Sequence, residues 1–239
     1  MSEKTKKNDF VEIKFSGYAN GELFDSNVEE ELKKLNPEAK ETKTFAVVGQ
    51  GTVVKGLDKA LEDKELDKDY ETTFSYKEGF GERNKNLIKT VSISSFKEKN
   101  FNPQVGMVLA LDNNLAKIIS VSGARVLVDF NNPLAGKELK YKFKIIRILT
   151  DEKEKAEVAF TLFLGFSPEI EVKDTIVIKG SKNLEPIVKL YSPKFKELLG
   201  KELSFEEKEE KKEDKKEKHE HTHEGHDHSH EHGHEGHKY

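Results

Sequence analysis

Two stretches far apart in the chain, residues 10–18 (FVEIKFSGY) and 139–145 (LKYKFKI), alternate apolar and polar side chains with a period of two. In the first, Val11, Ile13 and Phe15 share one face while Glu12, Lys14 and Ser16 share the other. In the second, Leu139, Tyr141, Phe143 and Ile145 line up. A period of two suits a pleated strand with one face buried and one in water. Tyr70, Thr72, Phe74 and Tyr76 repeat the pattern. Between these strands KGLDKALEDKEL brings Leu57, Ala60 and Leu61 onto one side of a short amphipathic helix. Half-buried strands around one such helix predict an α+β fold, an antiparallel β-sheet wrapped on a short helix.

The intervening segments fill in the order of elements. Asn20-Gly21 is a turn signal, and VEEELKKLN places Val28, Leu32 and Leu35 at helical spacing, with Asn27 as N-cap and Pro37 as stop. TFAVVGQGTVV reads as a strand broken by glycines. Between residues 85 and 131 the texture changes to the short β-type runs TVSIS, VGMVLAL, LAKIISV and ARVLVDF, with turns at Asp112-Asn113-Asn114 and Ser122-Gly123. This predicts a small β module inserted in a loop of the first domain. Residues 151–204 form another mixed α+β unit, in which EVAFTLFLGF and TIVIKG are strand-like and SPKFKELLG is helix-like. From Glu206 onward EEKEEKKEDKKEK has nothing to bury and reads as a solvated spacer.

Composition removes several functions. The 41 basic and 45 acidic side chains of the 239-residue chain are interspersed and sum to −4, so no basic face offers itself to a phosphate backbone. No nucleic-acid partner is expected. There is no run of 18 apolar residues and no signal-like N-terminal segment, which predicts a cytoplasmic chain with no membrane partner. The absence of cysteine removes thiolate as nucleophile or metal ligand. The GQG at residues 49–51 lacks the third glycine of a dinucleotide loop, since Val54 stands there, and it has no βαβ surroundings. It reads as a turn.

Three segments in this order, VEIKFSGYANGELFDSN, VVGQGTVVKGLDKALEDKELD and VDFNNPLAGKELKYKFKI, resemble FKBP-type peptidyl-prolyl isomerases, and among them the SlyD-like branch. The resemblance covers residues from about 8 to 150. It implies an isomerase domain at 8–84 plus 132–150, an insert-in-flap chaperone domain at 85–131, and a histidine-rich tail at 205–239. The unit at 151–204 is similar to the extra C-terminal domain of long archaeal members. Carried over motif by motif, the resemblance implies that Phe15, Phe24, Asp25, Val53, Val54, Leu57, Phe80 and Tyr141 line a prolyl site that Leu134 closes on one side. It further implies that Val54 supplies a backbone N–H and that Asp25 is the charged group at the slot. Leu57 stands where shorter members carry tryptophan, and Phe80 departs from a common tyrosine whose hydroxyl bonds a substrate carbonyl.

The chemistry of such a slot follows without the family. Rotating an X-Pro amide breaks no bond and needs no nucleophile or cofactor, but it crosses a barrier of about 18–20 kcal/mol because resonance is lost. An apolar aromatic slot favours the twisted amide, which is less charge-separated than the planar one. Each residue also has a plainer reading. An aromatic on an alternating strand is core far more often than ligand site, and Asp25 beside Ser26 and Asn27 could start a turn or cap a helix.

The insert carries Met107, Leu109, Leu111, Ile118 and Ile119, more apolar residues than so small a module easily hides, and exposed ones would bind unfolded chains. The tail holds all nine histidines, His219, His221, His223, His226, His228, His230, His232, His234 and His237, interleaved with Glu, Asp, Gly and Thr. Neutral imidazoles at this spacing can converge on nickel, zinc, cobalt or copper(II), and the resemblance favours nickel. The expected function is therefore prolyl isomerisation and chaperoning of unfolded or proline-containing polypeptides, with nickel or zinc at the tail. The rivals are a holdase with weak isomerase activity and a metallochaperone for nickel or zinc.

Overall fold

The computed structural model of the chain describes residues 3–111 and 114–207, all within one compact unit. In chain order the first region contains β1 (Phe10–Ala19), β2 (Glu22–Ser26), α1 (Glu29–Leu35), β3 (Thr44–Val47), α2 (Lys55–Ala60) and β4 (Asp69–Phe74). The insert follows with β5 (Ile88–Ser92), α3 (Ile93–Lys97), β6 (Val108–Leu111), β7 (Asn114–Ser122) and β8 (Arg125–Asp129). After β9 (Leu139–Ile148) come α4 (Glu152–Leu164), β10 (Glu169–Val172), β11 (Ile176–Gly180), α5 (Glu185–Leu199) and β12 (Leu203–Glu207).

The first sheet runs β2-β1-β9-β4, and all its pairings are antiparallel. Strand β3 pairs with the first half of β1, while β2 pairs with its second half. The β1–β2 hairpin closes through Asn20 and Gly21, whose φ angles of 53° and 82° are those of a two-residue turn matched to strand twist. Directly paired residues share a face, so the Phe15–Phe143 and Gly17–Tyr141 pairs on β1 and β9, with Thr72 opposite Tyr141 on β4, assemble the apolar side predicted from the alternation. Helix α2 lays Leu57 and Leu61 against it, both fully buried. Gly56 lets the helix approach, since a Cβ there would stand 2.2 Å from the Phe74 ring.

The N-cap expectation fails at α1, where Val28 precedes the helix and makes no side-chain cap. Asn27 is instead buried, accepting from the Phe15 N–H at 2.7 Å and donating to the Ile13 carbonyl at 2.8 Å. Its amide satisfies two backbone groups that the β1 edge would otherwise leave without partners.

The insert is a four-stranded antiparallel sheet in the order β5-β8-β7-β6, with Phe96, Ala116, Ile118, Val126 and Val128 at its core. Ile118 is fully buried, and Met107, Leu109 and Leu111 are partly buried against that core. The most exposed apolar side chains are others: Val105, Val108 and Leu115, at 65%, 59% and 66%, with Leu87 at 39%. TVSIS stops being a strand at Ser92, whose hydroxyl accepts from the Ser94 N–H and starts α3.

In the C-terminal region EVAFTLFLGF is the last part of a helix, α4, and not a strand. Asp151 caps the helix by accepting from the Glu154 N–H at 2.7 Å, and Gly165 ends it in the left-handed conformation at φ 75°. A short apolar run fits a buried helix or a buried strand equally well, and here the caps on either side decide it. β11 and β12 are parallel, joined by the crossover helix α5. Strand β12 extends through Glu206 and Glu207, which pair with Lys179 and Gly180, so the charge run begins inside a sheet. Among the described residues no helix is long and apolar enough to cross a membrane.

Candidate active site

Three adjacent strands converge on Gly17. Tyr141 on β9 faces it from one side and Asp25 on β2 pairs with it from the other. Phe24, next to Asp25, sets its ring edge-on to Tyr141 with centroids 5.8 Å apart and edge-on to Phe80 at 6.2 Å. Phe15 lies 6.0 Å from Tyr141. Phe74 on β4 stacks on the far side of Tyr141 at 5.7 Å, the planes 10° apart. Edge-to-face and offset contacts of this kind hold aromatic rings in fixed relative orientations.

The floor is built by the turn into α2. Gly49 and Gly51, with φ of 74° and 68°, donate their N–H groups to the two carboxylate oxygens of Asp58 at 2.8 and 2.9 Å. That carboxylate ties the turn to the helix it precedes. Val53 and Val54 follow, and Leu57, 2% exposed, rises from the first turn of α2 beneath the rings. Val54 precedes the helix, where backbone N–H groups lack intrahelical acceptors.

The remaining wall comes from the two chain segments that lead to and from the insert. Phe80 sits on the outgoing segment and Leu134 on the returning one. They are cross-linked by the Gly136 N–H donating to the Gly81 carbonyl at 2.8 Å and by a polar clasp further out. In the clasp Asp129 accepts from the Arg83 guanidinium and from the backbone and side chain of Asn131 at 2.9 and 2.7 Å. Asn131 also exchanges hydrogen bonds with the backbone of Asn84 at 2.8 and 3.0 Å. Burial alone would push the Asp129 carboxyl up, but the Asn131 and Arg83 donors outweigh it and hold its pKa below the usual value.

Eight of the nine residues expected at the site therefore pack in one cluster: Phe15, Phe24, Val53, Val54, Leu57, Phe80, Leu134 and Tyr141. Asp25 lies at the exposed edge beside them. Partial burial of its carboxyl raises its pKa above the usual carboxylate value, and the Ser26 backbone N–H pulls the other way. Tyr141 is 2% exposed; burial first, and the charge of Asp25 second, push its phenol up to about 12. The site thus offers one carboxylate, one phenol that stays protonated, and apolar walls. Sequence reasoning missed Phe74, Gly17 and Asp58. Phe74 was visible only as one more alternating aromatic, and nothing local marks Asp58 as the carboxylate that receives the glycine turn. The nine tail histidines lie outside the described residues, and among the described residues no group of three or more histidine, aspartate or glutamate side chains could hold a metal ion.

Comparison with known proteins bears on this arrangement. Residues 1–104 match the FKBP-type peptidyl-prolyl cis-trans isomerase family, and residues 89–134 match the family described as FKBP26, IF domain. A short-type peptidyl-prolyl cis-trans isomerase of Methanocaldococcus jannaschii is 32% identical over 157 residues, which cover 64% of this chain and 100% of that protein. The chain belongs to the FKBP-type peptidyl-prolyl cis-trans isomerases. SlyD proteins of the same family align over less of their length. That of Haemophilus influenzae is 31% identical over 102 residues, 41% of this chain and 53% of that protein. That of Escherichia coli K12 is 27% identical over 111 residues, 45% of this chain and 56% of that protein. As an FKBP-type isomerase the chain is longer than its short-type relative, and the families matched end at residue 134, before β9, α4, α5 and β10 to β12 begin.

Proposed function

We propose that the slot bounded by Phe15, Phe24, Val53, Val54, Leu57, Phe80, Leu134 and Tyr141 takes up the proline of an unfolded polypeptide and lowers the barrier to rotation of its X-Pro bond. The observation that carries this reading is the convergence of aromatic rings from β1, β2 and β9 around Leu57, with a single carboxylate at the rim. Planar amides are more charge-separated than twisted ones, so an apolar enclosure penalises the ground state more than the transition state. The Val54 N–H, at the helix start, holds the substrate chain by a hydrogen bond while the amide turns. Asp25, whose charge also acts on the Tyr141 phenol, orients the rotating carbonyl. No cofactor takes part.

The insert holds client chains through Val105, Val108 and Leu115, whose exposure supports a binding surface for unfolded protein. A tethered chain presents its prolines to the slot at high effective concentration. The histidine-rich tail binds nickel or zinc independently of isomerisation. This divides the chain into an isomerase domain (8–84 plus 132–150), a client-holding insert (85–131), a C-terminal unit whose last strand, β12, carries it to Glu207, and the metal-binding histidines beyond. Two assays test the division: turnover of a short prolyl peptide, and proline-limited refolding of a protein. Replacing residues 85–131 by a short loop should preserve the first and remove most of the second, and equal loss of both would contradict the division. A holdase with weak isomerase activity is the second reading, favoured by Phe80, which meets Phe24 edge-on and carries no hydroxyl for a substrate carbonyl. In that case the intact protein suppresses aggregation but leaves the peptide unturned.

A further inference from the structure

Strand β3 is buried on both faces. Ala46 and Val48 pack into the cluster that contains Leu57 and Tyr141. Phe45 and Val47 turn the other way, into a second cluster with Phe10, Leu149, and Ala159, Phe160 and Phe195 of α4 and α5. The α4 and α5 unit is thus the cover over the outer face of the strand that leads directly to the pocket floor. Arg147 on β9 fastens it at another point, donating to Glu12 at 2.7 Å and in two-pronged fashion to Glu154 on α4.

The link reaches the floor itself through Gln50, the middle residue of the Gly49–Gly51 turn. Its amide is engaged at both ends: Nε2 donates to Asn8 Oδ1 at 2.6 Å, and Oε1 accepts from Lys194 Nζ on α5. Lys194 is two-thirds covered and also pairs with Glu197 at 3.2 Å. Within the turn the Thr52 hydroxyl accepts from the Val47 N–H at 2.9 Å. The next two residues are Val53 and Val54. Hence an ammonium from α5, an amide at the tip of the turn and the Asp58 carboxylate beneath it hold the turn from opposite sides.

We infer that the C-terminal unit is a brace for the prolyl site, and that Lys194, acting through Gln50, is a positioning residue for Val53 and Val54. This rests on the isomerase reading above. The unit contributes no group to the slot. It fixes the backbone that presents the Val54 N–H, and misplacement of such a group lowers turnover more than it lowers ground-state affinity.

The test uses the full chain with Lys194→Met, Gln50→Leu, the double substitution and Lys194→Arg. Deleting the unit would be uninformative, because it would strip the cover from Phe10, Val47 and Leu149. Each single substitution should lower kcat on a short prolyl peptide about threefold to tenfold with KM nearly unchanged, as loss of one charge-assisted hydrogen bond to a positioning group predicts. The double should be no worse than Gln50→Leu alone, because that substitution already removes the link to Lys194 together with the one to Asn8. Lys194→Arg should recover most of the activity, and amide hydrogen exchange at residues 49–54 should quicken in the Met and Leu variants. Unchanged kcat in both singles, or losses that add and follow a falling melting temperature, would overturn the role. If the unsubstituted chain fails to turn over the peptide, the isomerase reading falls instead. Exchange at residues 49–54 then still decides whether the brace exists.

Discussion

Gly17 is glycine because two rings occupy the space a side chain would need. A Cβ there would stand 2.8 Å from Phe24 Cζ and 3.1 Å from Tyr141 Cε1. Gly17→Ala should therefore push Phe24 off its edge-on seat and cut peptide turnover at least about tenfold, ~1.4 kcal/mol of transition-state stabilisation, as steady-state kinetics will read. Asp25 gives a pH prediction. Its pKa is raised by burial, so acidification neutralises it sooner than an ordinary carboxylate of 3.8, and turnover should fall on that acidic limb. The same shift means that ionisation disfavours the folded state, so this group adds stability as the pH falls through its folded pKa, and the limb is not unfolding by Asp25. Asp25→Asn should flatten the limb at about tenfold lower turnover, ~1.4 kcal/mol; an unaltered pH profile would release Asp25 from any role in rotation. At this scale the sequence was legible where a residue type has one use. The Asn20-Gly21 turn and the GQG turn are such cases. Asn27 was misassigned because an asparagine before a helix has two plausible uses, capping the helix or bonding a neighbouring strand, and only the proximity of β1 chooses the second.

Among the elements, the polar clasp between the two segments that join the β5–β8 sheet to the first sheet is the most exposed to a single change. Asp129→Ala leaves both donors of Asn131 and the Arg83 guanidinium without their acceptor, at a cost of about 1–3 kcal/mol for groups so placed. Amide exchange at residues 84–87 and 129–131 should quicken, while exchange within β1 and β9 stays slow. Because the folded pKa of Asp129 is depressed below 3.8, its contribution is present above that value and is lost as the pH falls through the lower folded pKa. Strands β1, β4 and β9 were readable because their apolar and polar side chains alternate, so periodicity and burial coincide; β2 was not, since ELFDS shows no such alternation. α4 was not, since its apolar run VAFTLFL carries no clear period. Its identity as a helix depends on a cap at Asp151 and on Phe160 finding Phe195, 4.6 Å away between ring centroids. β3 was legible as a strand that glycines end, but its unbroken FAVV has no period to show that both of its faces are covered.

For the whole molecule, the tail gives a prediction that needs only composition. Nine imidazoles within nineteen residues can supply more ligands than one ion requires. Titration calorimetry with nickel and zinc should find more than one ion per chain, and truncation after Lys218 should abolish binding while peptide turnover is unchanged. An imidazole must be neutral to ligate, so affinity should drop below about pH 6, beneath the reference pKa of about 6.5; a truncated chain with undiminished capacity would put the metal elsewhere. What the sequence determined by itself was whatever local chemistry can encode: the period-two strands, the turns, and the order of glycines and aromatics that assigns the chain to its family. Tertiary structure alone decided which apolar faces are covered and by what. It buried Ile118 and left Val105, Val108 and Leu115 in water, and it brought Lys194 to Gln50 across 144 residues of chain. Periodicity records that a side chain has an inner face, but the segment that fills the space against that face lies far away in sequence. Which segment fits there depends on the packing of all the others.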